Sequence, residues 1–504
     1  MLARVRSASL RGVEGRPVDV EVHVSGGFPG FTMVGLPDAE VREARDRVRA
    51  ALLTSGFSWP QCRVTVNLAP SGVPKGGPGL DLPIAIGLLV AQGEVPAKAI
   101  VDTAFVGELG LDGSVRAVPG LVCMVGCVES EQVVVAAAGA AEARLVLGSS
   151  ARCVGSLGEL VAVLRGELSW PAPPVATVAV GAPSPAGDLS DVRGQELGRR
   201  AVEVAAAGGH HLLLVGAPGC GKTMLAQRLP GLLPPLTRAD ALAVARVQSA
   251  AGLAVSDGGF PRRPPFRAPH HGATVASLTG GGSWLRPGEI SLAHAGVLFL
   301  DELGEFPAAV LDMLREPLEE GVVRLSRARG STELPARFLL VGAMNPCPCG
   351  EGVTRGACRC SEVSRARYAR RLSGPLLDRF DLAVVLSRCD PAKLFAASTG
   401  ESSSVVAGRV AMARRAAQRR GVVVNAALPV ADLDRVAPLT EVTRRLLDQQ
   451  LRAGTLSARG LHRVRRVART IADLAGSETV TEQHVAEALA LHRGRDILRS
   501  RQSR

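Results

Sequence analysis

Apolar positions along the chain change their period from one stretch to the next. Val18 to Val24 and Val64 to Leu68 alternate apolar with polar residues, the period of half-buried strands. Pro83 to Ala91 is an apolar run suited to a buried helix, and Gln132 to Ala136 reads as a buried strand. Residues 166–187, rich in Pro, Ala and Gly, read as a linker. From 188 to 388 short apolar runs alternate with helical stretches, among them Leu212 to Val215, Val297 to Leu300 and Phe338 to Met344. That alternation predicts a parallel sheet between two helical layers. From 389 to 504 the pattern is nearly all helical and dense in Arg, with a strongly amphipathic segment over Leu461 to Ala475. Three domains are therefore expected, at 1–165, 188–388 and 389–504.

Composition adds boundaries. Hydrophobic residues make up 46% of the 504 positions but aromatics only 3%, so Val, Leu and Ala must fill the cores. No apolar run approaches the ~18 residues that span a bilayer. The N-terminus lacks the apolar stretch of a secretory signal, so a cytoplasmic protein without a membrane partner is expected. Ten cysteines in that setting predict free thiols rather than disulfides. A net charge of +12 admits a polyanionic partner such as DNA. An Arg-rich chain with only four Lys among 59 basic residues also fits a GC-rich coding sequence.

One of those four lysines stands in the most informative segment. Gly216, Ala217, Pro218, Gly219, Cys220, Gly221, Lys222 and Thr223 follow the apolar run Leu212 to Val215 and precede a helix-forming stretch. This is the GxxxxGK[ST] phosphate loop in the strand–helix context it requires. Backbone N–H groups of the turn would cradle phosphates, Lys222 would reach the β/γ-phosphates, and the Thr223 hydroxyl would ligate Mg²⁺. The expected ligand is ATP with Mg²⁺.

Hydrolysis needs further parts, and they follow in order. Val297 to Leu300 ends in Asp301 and Glu302, placing one acid for the Mg²⁺ shell and one to polarise water. The next buried run ends in Asn345, where ligand sites of parallel sheets lie. Arg379, in Leu376-Leu-Asp-Arg379-Phe-Asp381, suits a finger that completes a neighbouring subunit's site. Arg459, ahead of the amphipathic helix, suits a lid arginine that senses the γ-phosphate.

In this order the motifs resemble an AAA+ ATPase. Asp191-Val-Arg-Gly-Gln195, Phe266-Arg-Ala-Pro-His-His271, Pro287-Gly-Glu-Ile-Ser-Leu-Ala-His294 and Asn345-Pro-Cys-Pro-Cys-Gly350 resemble the magnesium-chelatase-like branch known as YifB or ComM. So do Leu372-Ser-Gly-Pro-Leu-Leu-Asp-Arg379 and Ala468-Arg-Thr-Ile-Ala-Asp-Leu474. The resemblance implies an α/β AAA+ core with a helical lid, and a ring of identical subunits, a hexamer in particular. For ComM-type members it implies a DNA helicase that drives branch migration of single strands taken up in natural transformation. It implies an insert near 253–290 and a hairpin near 322–338, whose Arg324, Arg327 and Arg329 would track a phosphate backbone if they face the pore.

The N-terminal block resembles the α+β Lon-protease-like fold of the ribosomal S5 type, through Pro74-Lys-Gly-Gly-Pro-Gly79 and Gly113 to Val122. It departs from the protease pattern where chemistry is done. Gly79 stands where that pattern has its nucleophilic Ser, and Val122 near its activating Lys. A scaffold without protease activity is expected, with Lys75 still a candidate phosphate contact.

Cys347 and Cys349, then Cys358 and Cys360 after eight residues, suit a structural Cys₄ zinc site; the alternative is four reduced thiols in a Gly-rich loop. His270 and His271 have no acid or Cys near in sequence and are expected to be structural or DNA-facing. Arg414, Arg415, Arg419 and Arg420, then Arg463, Arg465, Arg466 and Arg469, are expected mainly to decorate helix faces. The leading expectation is an ATP-driven ring motor on DNA. The runner-up is a chelatase-type motor that remodels a partner protein.

Overall fold

The structure is a computed structural model. It describes residues 1–172, 187–255, 259–282, 284–327, 330–352, 358–390 and 400–495. Most of the expected linker, together with Arg329, lies outside the described residues, and for Arg327 only the backbone is described.

Seven strands form the N-terminal sheet: β1 (Leu2–Arg11), β2 (Glu14–Ser25), β3 (Gly30–Val34), β4 (Arg63–Ala69), β5 (Thr103–Phe105), β6 (Gln132–Ala136) and β7 (Ala151–Val154). Their order is β3-β4-β2-β1-β5-β6-β7. The β1–β2 and β2–β4 pairs are antiparallel, and the remaining pairs are parallel. The period-two runs put Val18, Val20, Val22, Val64, Val66 and Leu68 into one core, as the alternation predicts. Between the strands come helices α1 (Ala39–Thr54) and α2 (Asp81–Gln92). Every residue of α2 but the last is buried, which explains its unbroken apolar run. Gly87 lets it sit close on the sheet: a Cβ there would lie 2.5 Å from Val22 Cγ2.

The second sheet has five strands, all parallel, and holds the phosphate loop. Its elements, in chain order, are helix α3 (Glu196–Gly208), β8 (Leu212–Gly216), α4 (Lys222–Leu232), α5 (Arg238–Ala250), β9 (Phe266–Arg267), β10 (Val297–Leu300), a hairpin of β11 (Val322–Arg327) and β12 (Gly330–Pro335), β13 (Leu339–Met344) and β14 (Leu382–Leu386). The sheet order is β9-β10-β13-β8-β14. Alternate residues feed two cores. Leu212, Leu214, Phe299 and Val341 face one, and Leu213, Val215, Leu298 and Leu340 the other, so apolar layers cover both faces of the sheet.

One expectation needs correcting here. The stretch 253–290 is not wholly an insert, because β9 within it is the edge strand of the core sheet, pairing Phe266 with Val297. The hairpin expected near 322–338 does form, in register from Val322↔Pro335 to Arg327↔Gly330.

The C-terminal helices α6 (Ser403–Arg419), α7 (Ala458–Leu474) and α8 (Glu482–His492) share a core with the sheet. Helix α7 buries Val464, Val467, Ala468 and Ile471 on its apolar stripe. Among the described residues no helix is long and apolar enough to cross a membrane.

Candidate active site

The strand–loop–helix that holds the phosphate loop is built from backbone requirements. Strand β8 is buried throughout, so its C-terminal end is fixed in the core. The turn after it needs left-handed residues, which Gly219 (φ 75°) and Gly221 (φ 90°) supply without a Cβ penalty. Helix α4 then starts at Lys222 with its N-terminus at the loop. Gln195, from the Asp191 to Gln195 motif, braces the turn: its Nε2 donates to Cys220 O at 3.0 Å and to Ser387 O at 2.8 Å.

Lys222 is nearly buried, at 9% exposure. Its ammonium donates to Gly216 O (2.8 Å), Ala217 O (3.0 Å) and Asn345 Oδ1 (3.1 Å). All three acceptors are neutral. Burial pulls the Lys222 pKa down, with Cys220, Asp301 and Glu302 opposing it. A buried cation held by neutral dipoles is a site that gains from an incoming polyanion. The Thr223 hydroxyl donates to Asp301 Oδ2 at 2.7 Å, so the two expected Mg²⁺ ligands already touch. The residues therefore fit Mg²⁺ and a triphosphate.

Glu302 follows at the mouth of β10. It adopts a left-handed conformation (φ 51°, ψ 45°), which costs a non-glycine residue on the order of 1 kcal/mol. Its N–H donates to Asp301 Oδ1 at 2.9 Å. Its carboxylate meets His271: Nδ1 lies 3.1 Å from Oε2. His271 follows β9 by four residues, and the His270 ring packs against it at a tilt of 35°, with centroids 4.0 Å apart. Sequence proximity offered His271 no partner; the sheet supplies one, because β9 and β10 are neighbours. Arg267 on β9 also binds Glu289 through two contacts of 2.6 Å, which ties together two of the family-like motifs.

Arg379 lies at the other end of the sheet. Asp381 N and Leu382 N both donate to His211 O at 3.0 Å, just ahead of β8, whereas the phosphate loop leaves the far end of that strand. Five residues of strand span about 16 Å. Arg379 pairs with Glu319, and its Nε is buried without a hydrogen bond. Burial, then the charges of Arg463, Arg459 and Arg315, lower its pKa. Arg463 sits one turn after Arg459 on α7 and lies 3.5 Å from Asp381. Arg459, exposed in the first turn of α7, is near enough to Arg379 for its charge to act there.

Two expected contacts are changed by the structure. Lys75 is 1% exposed and donates to Pro70 O, so it is closed to phosphate. Arg324 is bound by Glu333 (2.9 Å), Glu316 (2.8 Å) and Glu320, which already answer its charge. Of the C-terminal arginines, Arg414, Arg420, Arg463, Arg465, Arg466 and Arg469 bond inside the chain, and Arg415 and Arg419 are exposed.

The four clustered cysteines do come together. Their sulfur atoms all lie within 4.8 Å of one another. The Cys347–Cys349, Cys347–Cys358 and Cys349–Cys358 separations are 3.4, 3.6 and 3.7 Å.

Comparison with known proteins finds matches along nearly the whole chain. Residues 188–394 match the family model described as magnesium chelatase, subunit ChlI. Residues 20–138 match subunit ChlI of Mg-chelatase, and residues 400–492 its C-terminal part. An uncharacterized protein of Mycobacterium tuberculosis is 46% identical over 497 residues, 97% of this chain and 98% of the relative. The uncharacterized protein YifB of Escherichia coli is 44% identical over 494 residues, 97% of this chain and 96% of that one. The competence protein ComM of Haemophilus influenzae is 43% identical over 497 residues, 97% of each.

Proposed function

The chain belongs to the YifB/ComM family of magnesium-chelatase-like AAA+ ATPases, and on that premise we propose a ring-forming motor that spends ATP on DNA, as a branch-migration helicase for incoming single strands. One observation carries the motor reading. Lys222, Thr223, Asp301 and Asn345 converge at one end of the parallel sheet, while Arg379 stands at the other, near enough to Arg459 to feel its charge. Within one chain these halves cannot meet. In a head-to-tail ring the arginines of one subunit would face the phosphate loop of the next, and a hexamer is the closure we favour.

In this reading Lys222 holds the β/γ-phosphates, and Thr223 and Asp301 hold Mg²⁺. Mg²⁺ held there would offset phosphate charge. Asn345 orients the γ-phosphate or the attacking water. Glu302 accepts a proton from that water, after its carboxylate has left His271. Arg379, once free of Glu319, stabilises charge on the transferring phosphoryl group, and Arg459 senses it from the same neighbour.

The DNA part rests on the net charge of +12 and on the relative that carries the name competence protein. Backbone contact is proposed for Arg327 and Arg329 from their sequence position on the β11–β12 hairpin. The N-terminal domain is proposed to be a Lon-like scaffold without proteolysis, since neither Gly79 nor Val122 carries reactive chemistry.

The test is ATP hydrolysis with and without single-stranded DNA, alongside unwinding of forked and three-stranded substrates. Stimulation together with unwinding supports the helicase. If both are absent at low salt while ATP is still hydrolysed, the DNA reading fails and a protein-remodelling motor takes its place.

A further inference from the structure

We propose that Cys347, Cys349, Cys358 and Cys360 bind one zinc ion, and that this tetrathiolate site holds the phosphate loop in its ATP-binding shape. The geometry of the sulfurs argues for the metal. A tetrahedral ion with Zn–S bonds of about 2.3 Å sets its sulfurs about 3.8 Å apart. The three distances among Cys347, Cys349 and Cys358, at 3.4, 3.6 and 3.7 Å, lie near that value, and the Cys360 sulfur is within 4.8 Å of each. None of the four is in a disulfide. Other divalent ions common in cells, such as Mg²⁺ and Ca²⁺, prefer oxygen donors and suit this set poorly. Four thiolates leave no open position, so the role is structural.

The neighbours of the cluster argue for the coupling. Gly350 follows Cys349 in a left-handed turn (φ 81°), and a Cβ there would lie 2.5 Å from Pro218 Cδ. The cysteine loop thus packs directly on the phosphate loop. Cys347 is two residues from Asn345, whose side chain accepts from Lys222. Glu351 pairs with Arg388, just beyond β14. A metal that fixes the cysteine loop therefore fixes a wall of the nucleotide pocket from two directions.

The experiment begins with zinc content in the full chain as purified, measured by plasma mass spectrometry, with release by a mercurial reagent. Cobalt exchange should add thiolate-to-cobalt charge-transfer bands and tetrahedral d–d bands. One zinc per chain is expected, lost in Cys349→Ser and Cys360→Ser and kept in Cys389→Ser. Stripped protein should bind a fluorescent ATP analogue about ten-fold more weakly or worse, with recovery on adding zinc but not Mg²⁺. If the serine variants do not fold, the zinc content and cobalt spectrum of the unaltered chain decide. No stoichiometric zinc and no cobalt bands would overturn the site. Zinc present with unchanged nucleotide affinity after stripping would overturn the coupling. Zinc content is read independently of hydrolysis, so failure here is distinct from failure of the motor.

Discussion

The Nδ1 atom of His271 lies 3.1 Å from the carboxylate of Glu302, so a histidine that follows the edge strand of the sheet holds the acid assigned to activate water. A carboxylate oxygen turned onto an imidazole is not turned onto a water at the nucleotide. His271 can therefore park Glu302 until something shifts the segment after β9. His271→Ala is expected to raise ATP turnover without DNA several-fold, and to flatten stimulation by DNA, as read by a coupled ATPase assay. A fall in turnover with the stimulation ratio intact would show that His271 instead aims Glu302 productively.

Glu302 itself is separable from binding. Glu302→Gln keeps the size of the side chain and removes the base. Turnover should drop by about 10²- to 10⁴-fold, while affinity for a nucleotide analogue changes little. A variant that hydrolyses normally assigns the base elsewhere.

Arg379 and Lys222 offer a mixing experiment. Each of Arg379→Ala and Lys222→Ala should be inactive alone, the first by about 10³-fold or more. Mixed together, some interfaces pair an intact arginine from one variant with an intact loop from the other. Titrating one against the other should restore part of the ATPase activity. Mixtures that stay silent, while forming mixed rings by native mass spectrometry, would place Arg379 outside the site.

Acid sensitivity follows from two buried histidines. Burial holds His294 at about 4, and Nδ1 of its ring accepts from Arg337 N at 3.2 Å, which requires that nitrogen unprotonated. Burial likewise holds His492 at about 4. Both folded values lie below the unfolded value of about 6.5. As pH falls from about 6.5 to 4, the unfolded chain takes up protons that the folded chain refuses, and stability is lost. The slope is on the order of 1.4 kcal/mol per pH unit for each group. Thermal unfolding between pH 7 and pH 5 should show a falling midpoint, blunted in His294→Asn. A flat profile would mean that both rings protonate within the fold.

Local chemistry was legible in the sequence wherever one stretch of chain carried it. The phosphate loop, the acids ending β10 and the amide ending β13 each sit at the end of an apolar run, and the run sets their position. What escaped was set by contacts across strands. His271 finds Glu302 only because β9 lies beside β10, and β9 is two residues long, too short for any period to announce. Arg324 reads as a free cation until the fold brings Glu316, Glu320 and Glu333 around it. Lys75 reads as exposed until the turn folds its ammonium back onto Pro70.

The placement of Lys222 and Arg379 at opposite ends of β8 also governs how copies can be counted. In a closed circle every joint is a complete site, so sites equal subunits. In an open arc the two end subunits each leave half a site unanswered, so there is always one site fewer than subunits. Opening the circle at one joint to admit a strand would silence that joint alone, and the vacancy would mark where the strand entered.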